Sequence, residues 1–468
     1  MGEKRSIHGV IVKQVSGDKI MRILLDSKIN EAKSDHVLSS NLQDLLDALK
    51  QAGAEVIVGQ LSLRDIEKAD SAIDFLVTED RDIHQEASTK DVDDRVLLVE
   101  EALRIFNKYI NKDTRIAPFP LKHEYVKNLN YNDPIFDSLK EEYMPIFEGW
   151  FKRISKEGRK GWVYYRRDGN IGAILIYKSE NEPIDDSNPP LPERKRLKIS
   201  MMKVTYVGHK IGELFIKMAV DVSVKNDIDE IYLTHFTKSD DPLVKLISEY
   251  GFRKIAIKNN GEDVFAKNLI VSGDCAKSLP PIEISKTFYP SFCDGNLVKK
   301  FIVPILPAYH NKLFTDYSKR QVTLAEYADE FVIEGNTIKK AYLSHSNIKR
   351  IKRGDIILFY RSEDLQAITS LGVVEGVYSD VEDTGQILQI AGKRTVFSRG
   401  EVDKWIERSP VSIFLFRHHF HLKRLIELER LIASKIVKAA PQSAMEISSD
   451  GYAQIKNMGG IDERYTVH

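Results

Sequence analysis

Apolar and polar positions alternate over a short segment near the middle of the chain and then change to a helical spacing. The run Ile199–Val204 is typical of a strand, and from Ile211 onward apolar side chains recur three and four positions apart, which predicts an amphipathic helix. The turn Val207–Gly212 lies between them and carries a break at Gly208. Amides at a helix start have no partner within the helix and, together with the helix dipole, attract anions. This turn therefore predicts a site for a phosphate group.

The segments around this unit also read as strands and helices. Turn residues between apolar runs predict two hairpins, one in Gly161–Lys178 and one around Asn260-Gly261. Periodicity predicts a strand in Ile228–Phe236, a helix in Pro242–Phe252 and earlier helices in Asp133–Ile154. The polar, proline-rich segment 181–196 is predicted to be a surface loop.

This order of elements, with the turn at Gly208, Ile211 and Gly212, resembles the GNAT family of N-acetyltransferases. The family's coenzyme motif is usually Arg/Gln-x-x-Gly-x-Gly/Ala, and here Val207 replaces the Arg or Gln and Lys210 replaces the middle Gly. The resemblance implies a mixed α/β fold that binds acetyl-CoA, with backbone pairing to the pantetheine arm, amides around the pyrophosphate and added positive charge from two side chains. The residues implied are Lys203 and Val204 for the arm, Gly208, Ile211 and Gly212 for the pyrophosphate, and His209 and Lys210 for the charge. The alternative is an unrelated α/β domain in which the glycine turn only makes a tight connection.

The resemblance further implies direct transfer of the acetyl group to an amine, in which proximity contributes most to the rate. The family's usual acid is a Tyr four residues before the closing Gly-Phe pair, but this position holds Ile247. Tyr250, next to Gly251, is the substitute candidate for the acid, and His235 at a strand end is the second catalytic candidate. The alternative is that Tyr250 is packed in the core and that His235 is structural.

Buried strands alternate with amphipathic helices between residues 23 and 110, which predicts a parallel sheet covered on both faces. Asp26, Asp65 and Asp80 lie near the strand ends. Because the carboxyl ends of parallel strands meet at one rim, these carboxylates are candidates to hold Mg²⁺ or Mn²⁺ and to activate water. The alternative is that they are turn residues and helix caps.

This layout resembles a PIN-type ribonuclease domain, in which the three acids take catalytic and metal-binding roles. The family carries a further helix with an acid between the second and third positions, whereas only Ile66–Ser71 separates the corresponding segments here. We therefore expect a shortened PIN-like α/β/α sandwich without nuclease activity, which binds Mg or Mn only if the site is intact.

Strand-like runs with Gly-containing turns recur in the last third and predict a small β-barrel, followed by a helix in Arg424–Val437. The segment Ile348–Ser362, followed by Gly372–Asp380, resembles the PUA-like superfamily, with its EVE and ASCH branches, which implies binding of RNA or a modified base. Cations would follow the phosphate backbone and an aromatic ring would stack on a base. The candidate residues are Lys349, Arg350, Lys352, Arg353 and Tyr360. The alternative for the basic turn formed by Lys349, Arg350, Lys352 and Arg353 is a solvated loop. A second cluster contains His418, His419 and His421, and here surface histidines are favoured over a metal site.

The chain has 468 residues, a length that suggests about three domains. We predict a PIN-like domain in 1–112, a GNAT domain in 113–270, a linker in 271–286, a PUA-like domain in 287–445 and a tail in 446–468. Lys and Arg number 69, equal to Asp and Glu, so only a local patch would bind nucleic acid. Two cysteines and the absence of a long apolar run predict a cytoplasmic protein without disulfides, membrane spans or a signal peptide.

Taken together, these patterns favour an acetyl-CoA-dependent N-acetyltransferase that acts on an RNA-linked or translation-related amine. Aminoacyl-tRNA, the substrate of toxin-like acetyltransferases, is one such acceptor. One alternative is a metal-dependent ribonuclease that uses Asp26, Asp65 and Asp80. The other is a non-catalytic RNA-binding regulator.

Overall fold

The computed structural model describes a large part of the chain in segments. The described residues are 20–31, 36–59, 63–67, 73–90, 92–110, 120–166, 169–205, 210–239, 241–272, 278–317, 330–332, 336–345, 349–392, 394–397 and 399–468. Within them the chain is a mixed α/β protein with several separate sheets. The sheets have four, nine, two and six strands in this described part.

The first unit contains the predicted parallel sheet. Its strands, in the spatial order β2-β1-β3-β4, are β1 (Arg22–Asp26), β2 (Glu55–Gly59), β3 (Phe75–Val77) and β4 (Val96–Leu97). All three neighbouring pairs are parallel. The helices of this unit are α1 (His36–Gln51), α2 (Arg64–Glu67), α3 (Arg81–Thr89) and α4 (Val99–Ile110). Strands β1 and β3 are buried on both faces, which explains their continuous apolar sequence.

A larger mixed sheet forms the middle of the molecule. Its strands are β5 (Pro120–Tyr125), β6 (Lys160–Tyr165), β7 (Ile171–Ile184), β8 (Ser187–Asn188), β9 (Leu191–Val204), β10 (Glu230–His235), β11 (Arg253–Lys258) and β12 (Asp263–Asn268). Its helices are α5 (Asp137–Glu142), α6 (Ile146–Lys156), α7 (Ile211–Lys225) and α8 (Pro242–Glu249). Helix α7 is buried over most of its length beneath one face of the sheet, and α6 packs on apolar residues of the other face.

Segment 181–196 is not the surface loop that its composition predicts. Strands β7 and β9 continue through it as a long antiparallel hairpin, and β8 at its tip pairs with β11. The backbone ladder satisfies the polar groups of this segment, so it needs no apolar alternation to form strands.

The C-terminal sheet has the spatial order β16-β19-β18-β17-β14-β20, and β13 pairs with β21 in a small separate ladder. The strands of this last third of the chain, of which β15 belongs to the middle sheet, are β13 (Phe292–Cys293), β14 (Lys300–Ile305), β15 (Glu330–Val332), β16 (Lys339–Ser344), β17 (Ile356–Arg361), β18 (Ala367–Val381), β19 (Val411–Glu427), β20 (Met445–Ile447) and β21 (Thr466–Val467). The helices are α9 (Pro281–Thr287), α10 (Pro307–Leu313), α11 (Thr384–Ala391), α12 (Arg399–Ile406), α13 (Leu428–Ala433) and α14 (Ser449–Gly459). In the described part of the chain no ladder joins the outer strands β16 and β20. Where the sequence predicts a barrel, the described strands form an open sheet with several bulges.

The units are joined more closely than the predicted boundaries suggest. Strand β15, from the C-terminal third, pairs with β5 and extends the middle sheet. Part of the predicted linker forms helix α9, and the segment assigned to a tail contributes α14 and β21, with buried Tyr452 and Tyr465. These segments are therefore part of the packed structure.

Buried ion pairs hold α7 and the C-terminal unit together. The ammonium of Lys217 lies 2.9 Å from a carboxylate oxygen of Asp316, whose other oxygen lies 3.1 Å from His421. Burial would raise the pKa of Asp316, but the positive charges of Lys217 and His421 hold it well below its usual value. The sequence pattern gives no sign of this cluster, because Lys217 lies within an apolar run.

None of the helices in the described segments combines the length and apolar character that crossing a membrane requires.

Candidate functional site

The site is built around a gap between two strands of the middle sheet. Strand β9 pairs with β10 only at Leu197 and Lys198, although its other edge follows β7 as far as Val204. A register shift in the β7–β9 ladder leaves Ser200 as an extra residue. Such a bulge bends and twists its strand. Beyond it, the edge of β9 that faces β10 has no strand partner in the described ladders.

A cavity of about 910 Å³ opens at this gap, a volume in the range of small-molecule and cofactor sites. On one face of the sheet its walls come from the starts of α7 and α8, including Gly212 and Leu246. On the other face they come from α5 and α6, including Leu139 and Trp150. The lining of the cavity therefore includes residues from both faces of the sheet where β9 and β10 separate.

The predicted phosphate-binding turn lies partly at this cavity. Lys210 and Ile211 lie on its wall, and Lys210 adopts a left-handed backbone conformation, with φ of 53°, immediately before α7. Gly208 and His209 fall outside the described residues. The start of a helix of 15 residues and the lysine beside it favour an anion at this end of the cavity, whereas Glu213 in the first turn of the helix opposes one.

Gly212 has a packing role that the sequence does not reveal. A Cβ atom at this position would lie 2.5 Å from Cδ2 of Leu246, so the Leu246 side chain of α8 would have to shift to make room for it. One glycine of the motif is thus accounted for by helix packing. Its predicted role at a pyrophosphate stays a prediction.

Lys203 and Val204 occupy the end of β9 and both line the cavity. The ammonium of Lys203 donates to the carbonyl of Ile135 and the hydroxyl of Ser138, both at 2.6 Å, and burial lowers its pKa. This side chain therefore ties the strand to the segment that enters α5. The backbone of Val204 lies opposite Ala173 on the β7 side, which leaves its other edge toward the gap.

His235 forms a close pair with Asp241 on the cavity wall. The Nε2 atom of His235 lies 2.6 Å from a carboxylate oxygen of Asp241, and the other oxygen accepts N–H groups of Leu243 and Val244 at the start of α8. Burial would raise the pKa of Asp241, but the hydrogen bond and charge of His235 lower it below its usual value. A histidine held in this way through one ring nitrogen keeps the other nitrogen for a ligand. Sequence reasoning missed Asp241, although an Asp before Pro242 is a helix-cap signal.

Tyr250 also lines the cavity but is only 2% exposed. Two cations lie near its ring, with the guanidinium of Arg417 at 5.7 Å and the ammonium of Lys339 at 6.0 Å from the ring centroid. Burial, together with the charges of Glu213 and Glu249, raises its pKa well above the usual value, so the hydroxyl keeps its proton. Lys339 and the cavity residue Arg394 come from the C-terminal unit, and the sequence gives no signal for either contact.

The acids predicted to bind a metal have other partners where they are described. Asp26 is buried and accepts hydrogen bonds from the hydroxyl of Thr78 at 2.8 Å and the N–H of Lys28 at 2.9 Å. Asp80 caps α3 by accepting the N–H of Asp82 at 3.1 Å. Asp65 lies in α2, but its side chain falls outside the described part. Among the described residues, no three acidic, histidine or cysteine side chains are grouped to hold a metal ion.

The predicted RNA-binding residues divide into two groups. Lys349 and Arg350 are exposed, with 71% and 76% of their side-chain surface accessible, and Lys352 and Arg353 are exposed nearby. Tyr360 is 1% exposed and packs in the core of the C-terminal unit, so its ring cannot stack on a base as predicted. Its position in β17 explains the difference, because the alternate apolar residues of that strand face two buried clusters.

The sequence favours surface positions for the histidines of β19, but His418 and His419 are buried. His418 and His419 are 2% and 5% exposed, because β19 is covered on both faces.

No protein-family model matches the chain, and no curated protein matches it. Solved structures match parts of it. ASCH from Zymomonas mobilis matches with a TM-score of 0.27 and 14% identity over 34% of this chain and 95% of its own. A GNAT-family acetyltransferase from Listeria monocytogenes matches with a TM-score of 0.22 and 17% identity over 29% of this chain and 83% of its own. One chain of the NatC complex bound to Gag peptide and CoA matches with a TM-score of 0.22 and 16% identity over 31% of this chain and 95% of that chain. At these scores the likenesses decide neither fold nor function.

Proposed function

We propose that the chain is an acetyl-CoA-dependent N-acetyltransferase whose acceptor is an amine carried by RNA or another component of translation. The observation that carries this proposal is the separation of β9 from β10 at Ser200, which opens a cavity from the free edge of β9 to the start of α7. A free strand edge offers backbone groups to an extended amide-containing chain, and a helix start attracts phosphate. Pantetheine linked to a pyrophosphate has both features.

In this proposal each end of the cavity has its own task. The amides at the start of α7 and the charge of Lys210 hold the pyrophosphate, and the backbone of Lys203 and Val204 pairs with the arm. The acceptor amine enters between α5 and α6 and attacks the thioester carbon, where proximity supplies most of the acceleration. His235, oriented by Asp241, accepts the amine proton, and Tyr250, whose hydroxyl is protonated, is the candidate acid for the leaving thiolate.

Charge reversal at the start of α7 tests the coenzyme site. We expect Lys210→Glu to weaken acetyl-CoA binding about tenfold or more, since one favourable contact with a phosphate becomes a repulsion. Isothermal titration calorimetry with acetyl-CoA measures the dissociation constant. Lys210 is a better target than Gly212, because a side chain at Gly212 would also displace the side chain of Leu246.

The matched control is Lys225→Glu, which makes the same charge change at the exposed far end of the same helix. It should leave the affinity for acetyl-CoA within about twofold of wild type, because salt screens charges this far from a ligand. Wild-type protein that binds no acetyl-CoA would end the acetyltransferase proposal. Equal losses in both variants would place the coenzyme elsewhere.

The exposed basic turn favours RNA binding as a second function of the same chain. Lys349 and Arg350 lie 3.0 Å and 3.7 Å from Asp380 and Glu446, so part of their charge is neutralised and part is available to phosphates. We expect the double variant Lys349→Glu, Arg350→Glu to weaken tRNA binding and to reduce the slope of log K against log salt by about 2. Filter binding at several salt concentrations measures this.

The control for RNA binding is the double variant Lys404→Glu, Arg408→Glu, which makes the same charge change at exposed positions in and after α12. An equal loss of tRNA affinity in the control would mean that net charge, and not the turn, is responsible.

A further inference from the structure

One lysine lies where the two strands of the site part. Lys198 is the last residue of β9 with a partner in β10, opposite Tyr232, and its side chain lines the cavity. Its neighbours Leu197 and Ile199 belong to the core beneath α7. Because successive side chains of a strand alternate between faces, Lys198 points to the α5 and α6 face, where the proposed acceptor would enter.

Lys198 differs from the other described lysines of this face in its bonding. The ammonium of Lys203 has two hydrogen bonds, that of Lys238 pairs with Glu142 at 3.1 Å, and that of Lys258 pairs with Asp186 at 2.9 Å. Lys198 makes no hydrogen bond or ion pair with the described residues. Its ammonium lies over the ring of Tyr232, 5.4 Å from the centroid.

The charged groups around Lys198 come from strands β7 and β11 and from the turn after β11. Glu180 is the nearest acid, but its carboxylate already accepts from Lys178 at 2.5 Å and from the hydroxyl of Tyr232. Burial lowers the pKa of Lys198; Glu180 and Glu262 oppose this, whereas Lys178 and Lys258 add to it. The neutral, nucleophilic amine is therefore more available here than at an exposed lysine.

The path of the coenzyme leads to this amine. From Val204 back to Lys198 the strand runs about 20 Å at about 3.3 Å per residue. An arm anchored by its pyrophosphate at α7 and laid along the free edge of β9 can extend only toward the point where the strands meet. The thioester at its end would thus lie beside Lys198.

We propose that Lys198 is itself acetylated by acetyl-CoA bound in the cavity, and that this modification blocks the acceptor half of the site. The inference rests on the proposed acetyltransferase function. The neutral amine of Lys198 attacks the thioester carbon, a C–N bond forms, the C–S bond breaks, and the proton released from nitrogen passes to the thiolate of CoA. The product is a stable amide that removes one positive charge and adds bulk, so the protein limits its own activity when no acceptor is present.

The experiment follows acetylation of the full chain at single residues. Purified protein is incubated with acetyl-CoA, digested with trypsin and analysed by mass spectrometry over time. Trypsin does not cut after acetyl-lysine, so modification yields a single peptide from Leu197 to Lys203 whose mass includes one acetyl group. We expect Lys198 to react more than about tenfold faster than the exposed Lys225, because binding holds the reactants together. The rate should rise with pH and level off at a lower pH than that of Lys225.

Two further measurements separate this inference from its premise. Excess CoA, which cannot acetylate, should suppress modification of Lys198 and leave the modification rate of Lys225 unchanged. The variant Lys198→Arg should bind acetyl-CoA without forming the modified peptide. If calorimetry shows acetyl-CoA binding but Lys198 is modified no faster than Lys225, then self-acetylation is overturned and the proposed function is not. Absence of acetyl-CoA binding overturns both this inference and the proposed function.

Discussion

We expect the replacement of Glu375 with Gln to lower the free energy of unfolding by about 3–5 kcal/mol, the usual cost of removing one partner from a buried ion pair. The carboxylate of Glu375 lies 2.6 Å from Nε of Arg417 and 2.5 Å from Nη1 of Arg394, and all three side chains are less than 10% exposed. Arg394 also contacts Asp94 of the first unit at 3.2 Å. The variant leaves two buried guanidinium groups short of a counter-charge at the junction of the units. Urea denaturation followed by circular dichroism measures the change.

The control for this variant is Glu382→Gln, which removes the same charge from an exposed position on the segment after β18 and should change stability by less than about 0.5 kcal/mol. Adding Arg417→Met to Glu375→Gln should recover part of the loss, because one unpaired buried charge is removed with it. Glu375→Gln as stable as wild type would contradict the assignment of this network as a structural connection between units.

The same variant has a predictable pH dependence. Burial would raise the pKa of Glu375, but the charges of Arg417 and Arg394 and the hydrogen bond from Arg417 lower it far below its usual value. A carboxyl group whose pKa is depressed by folding contributes its full stability above its unfolded pKa of about 4.3 and loses it as the pH falls below that value. The stability difference between wild type and Glu375→Gln should therefore shrink progressively below about pH 4.

The local pattern predicted the centre of the site well, because strand and helix periods are local properties. The strand predicted at Ile199–Val204 is the end of β9, and the helix predicted from Ile211 begins there. The local pattern does not predict the hairpin at 181–196, because this hairpin is stabilised by pairs of side chains on opposite strands. Glu180 lies opposite Arg196 and Glu182 opposite Arg194, so opposite charges face each other in the ladder.

The rest of the site depends on contacts between residues far apart in sequence. Lys339 and Arg394 reach the cavity from the C-terminal unit, and β15 completes the edge of the middle sheet. No local period marks such contacts, because the side chains involved look like ordinary surface cations. Tyr360 is an error of the opposite kind. Its position next to a basic turn predicts stacking on a base, but both faces of its strand are covered and its ring is buried.

Gly251→Ala should lower the free energy of unfolding by about 2–5 kcal/mol, the sum of a backbone cost and a steric cost. Gly251 follows α8 with φ of 85°, in the left-handed region that residues with a Cβ adopt only at a cost. A Cβ atom here would lie 1.9 Å from the carbonyl oxygen of Thr287 at the end of α9, so the two backbones must separate. That same oxygen accepts a hydrogen bond of 2.8 Å from the fully buried ammonium of Lys267, which the movement would disturb.

Gly169→Ala isolates the backbone part of this effect. Gly169 has nearly the same φ, 84°, but a Cβ atom there would meet no atom within 4 Å. It should therefore cost only about 1–2 kcal/mol, which is the backbone cost alone. Urea denaturation of the two variants under one condition gives the difference, which measures how tightly α9 is held against the middle sheet. If both variants lose the same stability, then α9 moves away from Gly251 without cost, and α9 behaves as part of the linker predicted in 271–286.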